Sequence, residues 1–212
     1  MSTPVRGRQS LLILFALAMS GAAQAYVVTI APGARAVYLR VGDGTFTGTY
    51  NSGGTPGSGG AINLVSVGVP AAVLGNGVDQ DMTTNATQGA SSLDGFAVCN
   101  VPAEIYIGGF YRRPGSGSKE TATLTAVAPA NLSNAAGDTI PFSQISWTST
   151  DNRGGAAAQP MPTGTFTGGT QTLASFPINT WQESCHTFRY GNDAVVASGT
   201  YNGRVVYTLS AP

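Results

Sequence analysis

Charged side chains are scarce in this chain, and neither sign is in excess. Charged residues make up 9% of its 212 residues, with ten lysines and arginines against ten aspartates and glutamates. Nucleic-acid binding depends on Lys and Arg neutralising phosphates, and anionic lipid surfaces attract the same side chains. With Lys119 as the single lysine, the composition argues against nucleic acid and against anionic membrane surfaces as partners.

Residues typical of catalytic sites are also few. The chain has one histidine, His186, and it directly follows Cys185. Nucleophilic catalysis needs a base beside the nucleophile, and no G-x-S-x-G motif is present. Most carboxylates lie in turn contexts, where Asp bonds its own backbone. The sequence therefore predicts no enzyme, no cofactor and no metal site. The alternative for a metal is Ca²⁺ bound by oxygens of Asp79 and Asp81.

Helical patterning is missing as well. The chain contains 29 glycines and 12 prolines, and no window after the N-terminal segment places apolar residues at helical spacing without a breaker. Apolar and polar residues alternate with period two instead, which indicates half-buried strands. Strands are predicted at residues 36–41, 98–111, 121–127, 145–148, 165–167, 181–190 and 200–209. Short strands between Gly, Pro and Asn turns predict an all-β protein built as a single antiparallel β-sandwich.

The longest apolar run lies at the N-terminus. Two arginines precede nine apolar residues at 11–19, and Ala23-Gln24-Ala25 follows as a small-x-small site. This order is typical of a cleaved secretory signal. The run has about half of the roughly 20 residues that span a bilayer, although an uncleaved anchor is the alternative. We expect residues 1–25 to be removed and residues 26–212 to form the β-sandwich domain. The mature protein would be exported to the periplasm, cell surface or medium, without a membrane span.

The cysteine pair fits an exported chain. Cys99 and Cys185 are the only cysteines, and an even number in an oxidising compartment indicates a disulfide. A bridge that closes so long a loop would contribute roughly 4–5 kcal/mol to stability. Two free thiols or a metal site are the alternatives, but the single histidine and the lack of a C-x-x-C spacing favour the bridge.

The residues that bear on function are alternating apolar positions at the two ends of the mature chain. Gly199 lies thirteen residues before Pro212, and alternating apolar residues follow it on one strand face. These C-terminal positions are Tyr201, Val205, Tyr207 and Leu209. At the other end, Tyr26, Val28 and Ile30 alternate in the same way.

Together these ends resemble fimbrial subunits assembled by the chaperone–usher route. The resemblance implies a pilin-like or Ig-like sandwich that lacks a strand, which a neighbour's N-terminal segment supplies by β-strand addition. It makes Tyr26, Val28 and Ile30 strand donors, and it places the C-terminal positions at the acceptor groove or against a periplasmic chaperone. Like subunits and that chaperone are the implied partners. The alternative is a self-complete secreted β-sandwich that binds a glycan or a protein, with Trp147 or Trp181 as an exposed stacking surface.

Overall fold

The structure, a computed structural model, describes residues 27–48, 55–57, 62–117, 119–150 and 159–212. Its strands, in chain order, are β1 (Val27–Thr29), β2 (Ala36–Val41), β3 (Phe46–Thr47), β4 (Thr55–Pro56), β5 (Val65–Ser66), β6 (Gln80–Asp81), β7 (Thr83–Thr84), β8 (Ile105–Arg112), β9 (Thr121–Ala128), β10 (Asn131–Ser133), β11 (Thr139–Pro141), β12 (Ile145–Thr150), β13 (Gly164–Thr165), β14 (Gly169–Pro177), β15 (Thr180–Tyr190) and β16 (Val206–Ser210). Two 3₁₀ turns lie at Ala71–Val73 and Phe142–Gln144. The predicted all-β, antiparallel fold is confirmed. The predicted signal, residues 1–25, lies outside the described residues.

The described ranges contain no helix with the length and apolarity needed to cross a bilayer.

The main sheet is organised around β15, its longest strand. The strand order is β13-β12-β15-β8-β2, and β1 and β6 also pair with β15. The first half of β15 is flanked by β8 and β1, and its second half by β12 and β6. All of these pairings are antiparallel, so the late strand β15 connects segments from most of the chain.

A second, three-stranded sheet has the order β14-β9-β16. Its central strand β9 shows the alternation that the sequence predicts: Ala122, Leu124, Ala126 and Ala128 are buried, and Thr123, Thr125 and Val127 between them face outward. The main core lies between the two sheets. It contains Ile107 and Tyr111 of β8, Leu124 of β9, Phe176 of β14 and Phe188 of β15, among other residues. Because the inner faces of both sheets meet there, the arrangement is a sandwich.

The main sheet is covered on its other face as well. A separate cluster of Ile30, Tyr38, Phe110 and Trp181 packs there, with Phe46 against it. As a result β8 is buried at all eight positions, whereas β9 alternates. Phe46 of the short two-stranded β3–β4 sheet and Leu93 of the loop before β8 contribute to this cover.

The predicted disulfide is confirmed. Cys99 and Cys185 are bonded, with their Cα atoms 5.4 Å apart, and both side chains are buried beside Val98 and Tyr106. The bond fastens the loop that precedes β8 to the middle of β15. Disulfides of this kind are typical of proteins from oxidising compartments.

Candidate functional site

Two edge strands meet where the two sheets approach each other. β16 is an edge of the smaller sheet, and β2 is an edge of the main sheet. They have Cα atoms within 8 Å of each other. In the described part of the chain, β16 pairs only with β9 and β2 only with β8, so no ladder hydrogen bonds join them. We call this place the β2–β16 seam. The backbone groups on both of its sides have no ladder partner in the described part of the chain, although the two strands lie too close together for a strand to fit between them.

The seam is lined by apolar side chains that the core covers incompletely. Tyr207 and Leu209 of β16 and Leu39 and Val41 of β2 pack against the main core, yet all four are only partly buried. Burial raises the pKa of Tyr207. An added strand needs an unpaired strand edge for its backbone hydrogen bonds and apolar side chains that its own alternate side chains can cover. The seam has both features.

The other predicted C-terminal positions lie before β16. Val205 and Tyr201 are partly buried against the main core, and the Tyr201 hydroxyl donates a 2.8 Å bond to the Ala197 carbonyl. Gly199 packs so closely that a Cβ there would lie 3.1 Å from the Asn134 side chain. The structure therefore brings Tyr207 and Leu209 to the seam itself.

The predicted donor segment pairs within its own chain. In β1, Val28 is the partner of Trp181 on β15 and is partly buried, and the Ile30 amide donates a 2.8 Å bond to the Asn179 carbonyl. Ile30 itself is buried in the cluster around Trp181. Tyr26 lies outside the described residues. The role of Tyr26, Val28 and Ile30 as donors stays a prediction, and in this single chain two of them already have places on their own sheet.

A second candidate site is an open cleft on the outer face of the main sheet. It has a volume of about 570 Å³ and lies between the segment around Phe46 and the loop at residues 87–95. Arg40 of β2 forms part of its floor and is 6% exposed. Its guanidinium donates to the carbonyls of Gly42, Gln88 and Ala90 at 2.8 Å each, and to Ser92 Oγ at 2.9 Å. We call this site the Arg40 cleft.

A buried carboxylate lies beneath this cleft. Glu183 is 1% exposed. Its Oε2 accepts hydrogen bonds from the Tyr106 hydroxyl at 2.5 Å, the Ser91 hydroxyl at 2.7 Å and Trp181 Nε1 at 2.9 Å. Its Oε1 has no partner among the described residues. Tyr106 also lies under Arg40, whose guanidinium carbon is 4.2 Å from the centre of the ring.

Burial changes the proton affinity of this network. Burial raises the pKa of Glu183, although its three hydrogen bonds act in the opposite direction. Burial and the neighbouring Glu183 carboxylate raise the pKa of Tyr106 well above its usual value. Tyr106 is therefore a hydrogen-bond donor at neutral pH. These hydrogen bonds hold the loop that contains Ser91 against the main sheet, so the network stabilises the fold at this place.

The single histidine is buried away from both candidate sites. His186 lies on the opposite face of β15 from Cys185 and is stacked on Trp147, with ring centroids 5.7 Å apart. Neither of its ring nitrogens has a hydrogen-bond partner in the described part of the chain. Burial lowers its pKa to about 3. The two tryptophans are buried too, Trp147 at 4% and Trp181 at 0% exposure, so neither offers a face to a sugar.

The described residues bring together one group of three potential metal ligands: Cys99, Glu104 and Cys185. Both sulfurs belong to the disulfide, and the Glu104 carboxylate accepts bonds from the Asn100 amide and the Thr150 hydroxyl. Asp79 and Asp81, the alternative calcium pair, do not belong to a group of three such ligands among the residues that the structure describes, and Asp81 pairs with Arg189 at 2.8 Å.

Sequence reasoning missed the buried charges of the main sheet. Arg40, Glu183 and Arg112 are 6%, 1% and 2% exposed. Arg112 is the last residue of β8, and its Nε donates to the Ala34 carbonyl. The only sequence signal was their position within runs of β-forming residues.

No protein-family model, no curated protein and no solved structure matches this chain.

Proposed function

We propose that the protein is a structural or adhesive subunit of a bacterial surface fibre, joined to like subunits by β-strand addition. The observation that carries the proposal is the β2–β16 seam, where an open strand edge meets a partly covered apolar row. Export through the periplasm agrees with the buried disulfide. A periplasmic chaperone would cover the same edge before assembly.

An added strand must first widen the seam. Neighbouring strands in a sheet lie about 4.8 Å apart, so a strand paired on both sides needs roughly 9.6 Å between its neighbours. The Cα atoms of β2 and β16 approach within 8 Å. The seam is therefore too narrow for a further strand in the single chain, and donation requires the two edges to move apart.

The donor segment must also leave its own sheet. Residues 26–30 would supply Tyr26, Val28 and Ile30 to a neighbour's seam, where Tyr207 and Leu209 would contact them. Releasing β1 breaks its pairing with β15 at Val27–Gln182 and the next two positions. A covalent bond across that pairing would therefore prevent donation without altering the seam.

Val27→Cys with Gln182→Cys provides that bond, because directly opposed strand residues have Cα separations that a disulfide can span. The full-length variant and the wild type are expressed in the source bacterium, and fibre material is analysed on denaturing gels without heating. We expect the wild type to form a ladder of multimers that heating dissociates. The locked variant should remain monomeric.

The matched control is Val27→Ser with Gln182→Ser, which removes the same two side chains but cannot form the bond. This control should form multimers like the wild type. Multimers from the locked variant would disprove donation by residues 26–30. Absence of multimers from the wild type would disprove fibre assembly.

A second candidate is a self-complete secreted β-sandwich that binds a glycan or a protein. The pairing of β1 with β15 favours it, because the N-terminal strand already completes its own sheet. The mature protein should then be a monomer with one cooperative unfolding transition when purified without any partner. Aggregation or a lack of cooperative unfolding in that preparation would contradict this candidate.

A further inference from the structure

The Arg40 cleft presents uncommitted hydrogen-bond donors. Arg40 has five N–H groups, of which four donate to neighbouring acceptors, and the second N–H of Nη2 has no partner in the described part of the chain. Ser92 Oγ accepts from Arg40 and, at 3.1 Å, from the Tyr38 hydroxyl. The Ser92 O–H is therefore left to donate elsewhere.

A third donor comes from the rim of the cleft. Gln88 is exposed, and its Oε1 accepts a 3.1 Å bond from the Gly44 amide. This bond orients the side chain and leaves the Nε2 amino group uncommitted. The cleft carbonyls of Gln88 and Ala90 already accept from Arg40. The free groups are thus donors, which suits a ligand group that only accepts.

The charge of the cleft points to the same kind of ligand. In the described ranges no carboxylate oxygen lies within 4.0 Å of the Arg40 guanidinium. Asp43 lies in an adjoining, smaller depression, where its two oxygens accept four bonds from Asn63, Thr87 and Gln88. Arg40 is the only charged residue among the described residues that line the cleft. The buried Glu183 carboxylate lies below the floor, where Tyr106, Ser91 and Trp181 donate to it, so the charge that the cleft itself presents to a ligand is the guanidinium.

One wall of the cleft is aromatic. Phe46 is only partly buried, and it is supported by Tyr38 at 4.7 Å and Trp181 at 6.4 Å between ring centroids. Its ring is therefore held in place, and it lines the cleft together with Arg40. An aromatic wall beside polar donors suits the apolar face of a sugar ring. The volume of about 570 Å³ falls within the usual range of ligand pockets.

We propose that the Arg40 cleft binds an acidic saccharide, with its carboxylate at Arg40, Ser92 and Gln88 and its sugar ring against Phe46. Arg40 belongs to β2, but its side chain lies on the outer face of the main sheet, on the opposite strand face from Leu39 and Val41, which line the seam. The proposal stands or falls independently of fibre assembly.

The test titrates the mature protein with methyl glucuronide and, separately, with methyl glucoside, its neutral counterpart. Binding is followed by backbone amide chemical shifts. We expect the glucuronide to bind with shifts confined to residues around the cleft, and the glucoside to bind about tenfold more weakly or less. No binding of the glucuronide at about 10 mM would overturn the proposal. Equal binding of both sugars would overturn the claim that the cleft recognises the ligand's carboxylate.

Gln88→Glu is the informative variant, since it keeps the acceptor for Gly44 but replaces a donor by a negative charge. It should weaken glucuronide binding about tenfold or more. Gln80→Glu adds the same charge outside the cleft and should bind like the wild type. Because Gln88 is exposed, its replacement is expected to leave the fold intact. Unchanged binding by Gln88→Glu would overturn the proposal, as would tighter binding of acetate or of an acidic tripeptide than of the glucuronide.

Discussion

Replacing Glu183 by alanine isolates the energetics of the buried network. The substitution removes the common acceptor of Tyr106, Ser91 and Trp181, and these three donors are all buried. A buried donor left without an acceptor costs about 1 to 3 kcal/mol. Three donors at about 1.5 kcal/mol each give about 4.5 kcal/mol. Removing the buried charge returns part of this, because burial raises the pKa of Glu183. We expect a net loss of about 3 kcal/mol.

The measurement is chemical unfolding at pH 7, with Asp81→Ala as the matched loss of an exposed carboxylate. Asp81 forms a surface pair with Arg189, so its removal should cost less than about 1 kcal/mol. Glu183→Gln keeps an oxygen acceptor and should fall between the two alanine variants. A Glu183→Ala protein as stable as Asp81→Ala would refute the reasoning, since it would mean that the three donors do not depend on this carboxylate.

Three further outcomes follow from single features. Replacing both cysteines by alanine should lower the free energy of unfolding by roughly 4–5 kcal/mol, measured by denaturant unfolding, and an unchanged midpoint would contradict this. His186 stays neutral in the fold, because burial lowers its pKa to about 3, but the unfolded chain protonates it below about pH 6.5. As the pH is lowered from about 6.5 towards 3, the free energy of unfolding should therefore fall by about 1.4 kcal/mol per pH unit because of this residue. In His186→Leu, the free energy of unfolding measured from about pH 4 to 6 should depend less steeply on pH. Gly108→Ala should lower the free energy of unfolding by roughly 1–3 kcal/mol, because the new Cβ would collide with the Tyr106 hydroxyl. Gly68→Ala is the control, since a Cβ there meets no other atom within 4 Å. Equal unfolding midpoints for the two variants would contradict the collision.

Two of the three strands of the smaller sheet, β9 and β16, were predictable because one face of each is exposed. Thr123, Thr125 and Val127 alternate with the buried residues of β9, and the observed burial follows that period of two. The third strand, β14, was not predicted, and its pairing with β9 has a register shift between Thr172 and Ala174. The strand predicted at residues 200–209 begins later, at Val206, but keeps the predicted face for Tyr207 and Leu209. Alternation is informative where one face of a strand meets water.

The main sheet was harder to predict because both of its faces are covered. On β2 the alternation of Val37, Leu39 and Val41 suggested the buried face, yet Tyr38 and Arg40 are the more deeply buried residues. Loops without periodicity cover that second face, and their partners are far away in sequence. The acceptor set of Arg40 at residues 88–92 and the loop contact of Glu183 at Ser91 could not be inferred from local spacing.

If the chain is exported as proposed, the position of β15 near its end governs the order in which the fold can form on the far side of the membrane. A chain that crosses a membrane N-terminus first delivers Val27 long before its partner Gln182. The pairs β2–β8 and β12–β13 can form earlier, but the strands that β15 joins into one sheet cannot be joined until it has emerged. Cys99 likewise waits for Cys185, its only intramolecular partner. Such late, long-range closure is slow and leaves strand edges exposed in transit. The time spent in that half-emerged state, rather than the stability of the finished domain, would then limit the yield of exported protein.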